Sequence, residues 1–140
     1  MSILIVDDSN FILRFVEHNL RAAGYKDLYT VTSGEQVFSF LNNNDNYKRV
    51  DLILMDVFMK GTDGISVCKA LKRHPRFNSI PVMIMTADTG DEILEESFAA
   101  GADDYITRPI RKTELLARVA VAVKLKRQMD KVQERERELL

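Results

Sequence analysis

The sequence predicts an α/β domain, a doubly wound (βα)5 three-layer sandwich with an extended C-terminal helix. Short apolar runs alternate with segments of helical periodicity, the pattern of strands and crossover helices around a parallel sheet. Three of the runs are continuously apolar and partly β-branched, as strands covered on both faces must be. Most helical segments also carry a start or stop signal at the expected place.

The runs are Ile3-Leu4-Ile5-Val6, a weaker Leu28-Tyr29-Thr30-Val31, Leu52-Ile53-Leu54-Met55, Val82-Met83-Ile84-Met85 and a short Tyr105-Ile106-Thr107. The first, third and fourth belong in the middle of the sheet. Between them, Phe11, Ile12, Phe15, Val16 and Leu20 recur at helical spacing after Ser9, and Gly24 ends that helix. Ser33 with Gln36 reads as a capping box for a helix through Phe40 or Leu41, followed by the polar loop Asn42 to Asn46. Asp63-Gly64 precedes Ile65, Val67, Cys68 and Leu71, a third helix stopped by His74-Pro75. Thr89 with Glu92 is expected to cap a fourth, Ile93 to Ala100, closed by Gly101. Each connection is short enough for right-handed crossovers.

The last helix is expected from about Lys112 to Leu140, where no Gly or Pro interrupts, and would extend roughly 43 Å. Leu115, Leu116, Val119 and Val123 suit packing on the sheet. Ala122, Leu125, Met129, Val132 and Leu139 continue at 3-4 spacing, with Glu136 breaking the seam. Residues 1–123 are therefore read as the domain and 124–140 as a helical linker or short parallel coiled coil. The alternative is a solvated helix held by Arg127 with Asp130, Lys131 with Glu134 and Arg135 with Glu138.

Composition narrows the function classes. The 140 residues, 46% hydrophobic and 29% charged, suit one compact domain. Twenty Lys plus Arg against 21 Asp plus Glu leave a net charge of −1, so no whole-chain field favours nucleic acid or an anionic membrane. No apolar stretch approaches a bilayer span, and Met1-Ser2 begins no signal peptide. The single Cys68 excludes an internal disulfide framework and reads as a half-buried helix thiol in a reducing compartment. A cytoplasmic location is expected. His18 and His74 lack ligand spacing and read as exposed helix residues.

The chemistry converges at the strand ends. Ligands of open parallel sheets sit beyond the carboxyl ends of the strands. There Asp7-Asp8 follows the first strand, Asp56 ends the third, Thr86 the fourth, and Arg108-Pro109 the fifth. Taken singly, Asp8 as a helix cap and Asp56 as a turn residue would be ordinary. Together they form an all-oxygen cluster that raises a carboxyl pKa or needs a hard cation, for which Mg²⁺ is suited.

These residues resemble a response-regulator receiver domain of the chemotaxis type, the aspartate-phosphorylated half of two-component signalling. The resemblance runs from Ile3 to about Val123. It rests on Ile3-Leu4-Ile5-Val6-Asp7-Asp8-Ser9, Asp56 with Gly61-Thr62-Asp63-Gly64, Ile80-Pro81-Val82-Met83-Ile84-Met85-Thr86-Ala87, and Gly101-Ala102-Asp103-Asp104-Tyr105-Ile106-Thr107-Arg108-Pro109. It implies a flavodoxin-like five-stranded sheet in order 2-1-3-4-5. It further implies Asp56 as phosphoacceptor from a phosphohistidine, and Mg²⁺ on Asp7, Asp8, Asp56 and the backbone carbonyl of Phe58. Thr86 would bond the phosphoryl oxygen, Tyr105 would turn inward behind it, and the face of the fourth helix, fifth strand and fifth helix would shift population.

Two positions depart from the family pattern. Arg108 stands where Lys is usual, and either clamps phosphate or locks onto Asp56 and mimics an occupied site. Lys60 stands where Pro is usual, which is expected to loosen the loop without touching the chemistry. Phe58, bulky and apolar two residues beyond Asp56, is expected to hinder the hydrolytic water and lengthen the acyl-phosphate lifetime. The implied partners are a sensor histidine kinase or phosphotransfer protein, a second copy in a homodimer, and a diguanylate cyclase or kinase output domain beyond Leu140. Opposite charges on Glu92, Glu95 and Glu96 and on Arg111 and Lys112 would serve such a dimer. The expected function is a phosphoacceptor switch, not an enzyme, with at most slow self-dephosphorylation. The alternatives are a phosphorylation-independent dimerisation module built on the long helix and a Mg²⁺-dependent phosphohydrolase. The latter is disfavoured because Phe58 stands where a general acid would be needed.

Overall fold

The computed structural model describes residues 1–139. In chain order the elements are β1 (Ser2–Val6), α1 (Asn10–Ala22), β2 (Leu28–Val31), α2 (Gly34–Asn42), β3 (Val50–Asp56), β4 (Phe58–Met59), β5 (Thr62–Asp63), α3 (Gly64–Arg73), β6 (Val82–Thr86), α4 (Asp91–Ala99), β7 (Asp104–Thr107) and α5 (Lys112–Leu139). A 3-10 segment, Asn43–Lys48, occupies the expected polar loop. Five parallel strands form one sheet in the order β2-β1-β3-β6-β7. Counted by themselves, these are the expected 2-1-3-4-5. The two-residue hairpin β4-β5 was not foreseen, because strands that short carry no periodicity.

Alternation along each strand builds the sandwich. Ile3, Ile5, Leu52, Leu54, Met83 and Met85 pack with α1 and α5 on one face. Leu4, Val6, Ile53, Met55, Val82 and Ile84 pack with α2 and α3 on the other. β1 and β3 are buried at every residue, which explains their unbroken apolar runs. The register aligns Val6 with Met55 and Asp56 with Met85, so the carboxyl ends of β1, β3 and β6 finish at one edge.

Several local expectations need correction. Ser33 Oγ accepts from Gln36 N–H at 3.3 Å. The Gln36 side chain, however, takes Thr32 N–H at 2.6 Å rather than closing a box on Ser33. Thr89 does not cap α4. Gly90 holds that position, while the Asp88 carboxylate takes the Gly90 N–H at 2.7 Å. Cys68 is fully buried rather than half-buried, and burial pushes its thiol up to about 11. His74 is half-buried at the end of α3, stacked on Phe77 at 4.1 Å with Nδ1 accepting from Arg76 N–H.

Leu115, Val119 and Val123 of α5 are buried against the sheet as expected, and Ala122, assigned to the outer seam, also packs on this core. Beyond them Leu125, Met129, Val132 and Leu139 are exposed. The anticipated ion pairs along the helix are replaced by Lys126 with Asp130, and by Arg127 Nε at 3.8 Å from Asp51. At that point α5 still lies against the start of β3, so a tertiary partner displaces a local one. Leu140 lies outside the described residues.

Candidate functional site

β1, β3, β6 and β7 deliver their terminal side chains to one rim of the sheet. Asp7, directly after β1, is fully buried. One of its carboxylate oxygens accepts from Ser9 N–H at 2.9 Å and the other from Arg108 Nη2. Asp8 is exposed and accepts from Lys60 N–H at 2.7 Å. Asp56 ends β3, is buried, and lies 3.3 Å from the same Arg108 nitrogen. Thus one guanidinium serves two buried carboxylates.

The electrostatics follow from that shortage of cations. Burial pushes the Asp56 carboxyl up to about 6, and the charge of Asp7 pushes the same way. Arg108 and the nearby Phe58 and Val57 N–H groups pull it down. Asp7 is also raised, first by burial, against the Ser9 N–H and Arg108. The Nε–H of Arg108 is buried with no acceptor among the described residues. Its backbone N–H is anchored to the Thr86 carbonyl at 2.8 Å.

Three carboxylate oxygens, one each from Asp7, Asp8 and Asp56, lie within 4.8 Å of one another. An oxygen-only donor set, two members buried and one open to solvent, fits a hard divalent cation that keeps some of its waters. The expected set Asp7, Asp8 and Asp56 is therefore brought together. Phe58 follows within two residues and is 60% exposed.

Thr86 ends β6 and is fully buried; its Oγ1 accepts from Asp88 N–H at 3.1 Å. Tyr105, half-buried in β7, donates its hydroxyl to the Asp88 carbonyl at 2.6 Å. Asp88 thus joins the two expected switch residues and, through its carboxylate, the start of α4. Nothing in its sequence setting announces that role.

Two further residues were misread from sequence. Gly64 looked only like a helix start. A Cβ there would meet the Asp56 carbonyl at 1.9 Å, so glycine is what lets the Phe58–Asp63 hairpin close against the end of β3. Lys60 does touch the chemistry, because its N–H, which a proline would lack, holds Asp8. The hairpin turns at Gly61, whose φ is 71°.

Comparison with known proteins agrees with this geometry. The family described as "Response regulator receiver domain" matches residues 3–120. The chain is 35% identical over 123 residues to the transcriptional regulatory protein YvrH of Bacillus subtilis, covering 88% of this chain and 49% of that protein. It is 36% identical over 121 residues to the heme response regulator HssR of Staphylococcus haemolyticus, covering 86% and 50%. Among solved structures, the signal receiver domain of a Syntrophus aciditrophicus signal transduction histidine kinase superposes with a TM-score of 0.78 at 33% identity. That match covers 88% of this chain and 89% of that one. The chemotaxis response regulator CheY4 of Vibrio cholerae gives 0.77 at 28% identity, covering 86% and 97%. The chain belongs to the response-regulator receiver domains of two-component signalling. It spans about half the length of the curated relatives it matches. No helix among the described residues is long and apolar enough to cross a membrane.

Proposed function

We propose that this receiver domain is a phosphoacceptor switch in which Asp56 takes a phosphoryl group from the phosphohistidine of a sensor histidine kinase or phosphotransfer protein. The observation that carries the reading is Asp56 at the end of a central strand, within 4.8 Å of two further carboxylates and 3.3 Å from a guanidinium. An Asp56 oxygen attacks phosphorus, the P–N bond breaks, and imidazole leaves and takes a proton. Asp7, Asp8, Asp56 and the Phe58 carbonyl would hold Mg²⁺, which supplies charge neutralisation for the transferred group.

Arg108 neutralises part of the same charge and, with its spare Nε–H, has a donor left for a phosphoryl oxygen. The Thr86 hydroxyl hydrogen is the second donor, because its oxygen already accepts from Asp88. A bond from Thr86 to the phosphoryl group pulls on Asp88, and through its carbonyl on Tyr105, shifting the face formed by α4, β7 and α5. On this reading the chain is regulatory rather than an enzyme, works in the cytoplasm, and loses its phosphoryl group slowly beside the Phe58 ring. The output acts through α5, either by pairing Leu125, Met129 and Val132 with a second copy or by leading into a diguanylate cyclase or kinase domain.

Incubation with acetyl phosphate and MgCl₂ tests the reading by intact-protein mass. A single stable phosphoryl adduct is expected. No adduct would leave a phosphorylation-independent module, and multiple turnover would make the chain a phosphohydrolase.

A further inference from the structure

At the edge of the sheet opposite the carboxylates, α5 runs past the body and leaves an open groove of about 690 Å³ beside it. One bank is formed by Tyr47 and Lys48 ahead of β3 and by Arg76, Asn78 and Ser79 ahead of β6. The other is one flank of α5, with Lys126, Asp130, Gln133, Glu134 and Arg137. We propose that this groove is a nucleotide site, taking phosphates on its arginines and the ribose and base on its carboxylate, amides and ring.

The charge left over after internal pairing points to phosphate. Lys126 is buried and pairs with Asp130, and Lys48 lies 3.6 Å from Asp45. Arg76 and Arg137 are exposed, and their guanidinium groups have no acidic partner among the described residues. They stand on opposite banks, so a ligand with two or more phosphate groups can bridge their planar forks. The exposed Leu125, Met129 and Val132 form a separate stripe of the helix and do not line the groove.

The rest of the lining separates a nucleotide from bare phosphate. Glu134, without a cationic partner among the described residues, would repel a simple anion, whereas a carboxylate beside a phosphate subsite suits the hydroxyls of a ribose. Asn78 and Gln133 offer amides, and Ser79 a hydroxyl, for the polar edge of a base. Tyr47 adds an aromatic surface, edge-on to Phe77 at 5.6 Å and with the Lys48 ammonium 5.9 Å from its ring centre. The volume falls within the roughly 300–1,000 Å³ of small-ligand sites. Alongside the groove, α5 is held to the start of β3 by the charges of Lys126 and Arg127 around Asp51. A nucleotide spanning both banks adds a second tie there, and so acts on α5 without passing through Asp56.

The test is a ¹H–¹⁵N NMR titration of the full chain with ADP and, separately, with pyrophosphate, in EDTA so that no divalent cation enters the aspartate pocket. ADP is expected to shift the amide signals of residues 47–48, 76–79 and 126–137 and to leave those of Asp7, Asp8 and Asp56 in place. Arg76→Gln and Arg137→Gln, both at exposed positions, should each weaken ADP about tenfold, the scale of one charge-assisted bond. Glu134→Gln should weaken ADP severalfold yet tighten pyrophosphate, because it removes a ribose acceptor and a repulsive charge together. No shift in the groove at millimolar ADP, shifts confined to the strand ends around Asp56, or full affinity in both arginine variants overturns the site. If pyrophosphate binds as tightly as ADP, or Glu134→Gln tightens both, the groove holds a bare anion and the nucleotide assignment is overturned.

Discussion

β3 carries a buried aspartate near each end, both raised by burial, and the two differ in the charges around them. Asp51, at the start, is raised by desolvation, and Lys126, the chain's N-terminus and Arg127 offset only part of that rise. Asp56, at the finish, is raised by desolvation and by Asp7, and the cation that most lowers it is Arg108. Burial alone is thus no mark of function. A surplus of buried carboxylate over cation separates the end proposed to take the phosphoryl group from the end that holds α5 against the sheet.

That contrast can be broken by substitution, beginning with the largest expected effect. Gly64→Ala drives a methyl group into the Asp56 carbonyl and should cost ~3 kcal/mol or more in denaturant unfolding, with phosphoryl uptake impaired in whatever folds. At the other end of the strand, Asp51→Ala leaves the buried Lys126 with Asp130 alone, and a loss of about 2 kcal/mol is expected by the same measurement. Phosphoryl uptake should survive that change. Equal damage to uptake from Asp51→Ala would erase the distinction between the ends.

The pH dependence sharpens it. Asp56 has a folded value of about 6 against an ordinary 3.8, so folding favours its protonated form. The stability this contributes is complete below the ordinary value and is lost as pH rises through about 6. In metal-free buffer at pH 8, Asp56→Asn should therefore stabilise the chain, by on the order of 2 kcal/mol, and the gain should vanish near pH 4. A constant difference across that range would show that desolvation is not the cause. The smallest effect expected is kinetic: Phe58→Asn should shorten the acyl-phosphate lifetime severalfold without changing how fast label is taken up. An unchanged lifetime would remove Phe58 from the account.

How much of this was legible in the sequence depends on the kind of contact. The central strands declare themselves because burial on two faces demands unbroken apolar runs, and Asp7, Asp8, Asp56 and Thr86 follow from being the next residues after those runs or their last polar members. The weaker β2 and β7 were readable only from their spacing between helices. What stayed hidden is backbone chemistry and pairing across the fold. The Lys60 N–H on Asp8, the Asp56 carbonyl against Gly64 and the Asp88 bridge between Thr86 and Tyr105 use groups that have no side-chain signature. The ion pairs of α5 were misassigned for a related reason. Residues three and four apart on a helix are always neighbours, whereas the approach of Arg127 to Asp51 exists only once the helix has docked.

The most direct test reads both ends of β3 in one experiment. The chain is phosphorylated with acetyl phosphate and MgCl₂, reduced with borohydride, which converts an aspartyl phosphate to homoserine, and mapped by peptide mass spectrometry. Homoserine at position 56 with intact Asp51, Asp7 and Asp8 is the predicted result. Homoserine at any other aspartate, or at none while the protein remains folded, would contradict it.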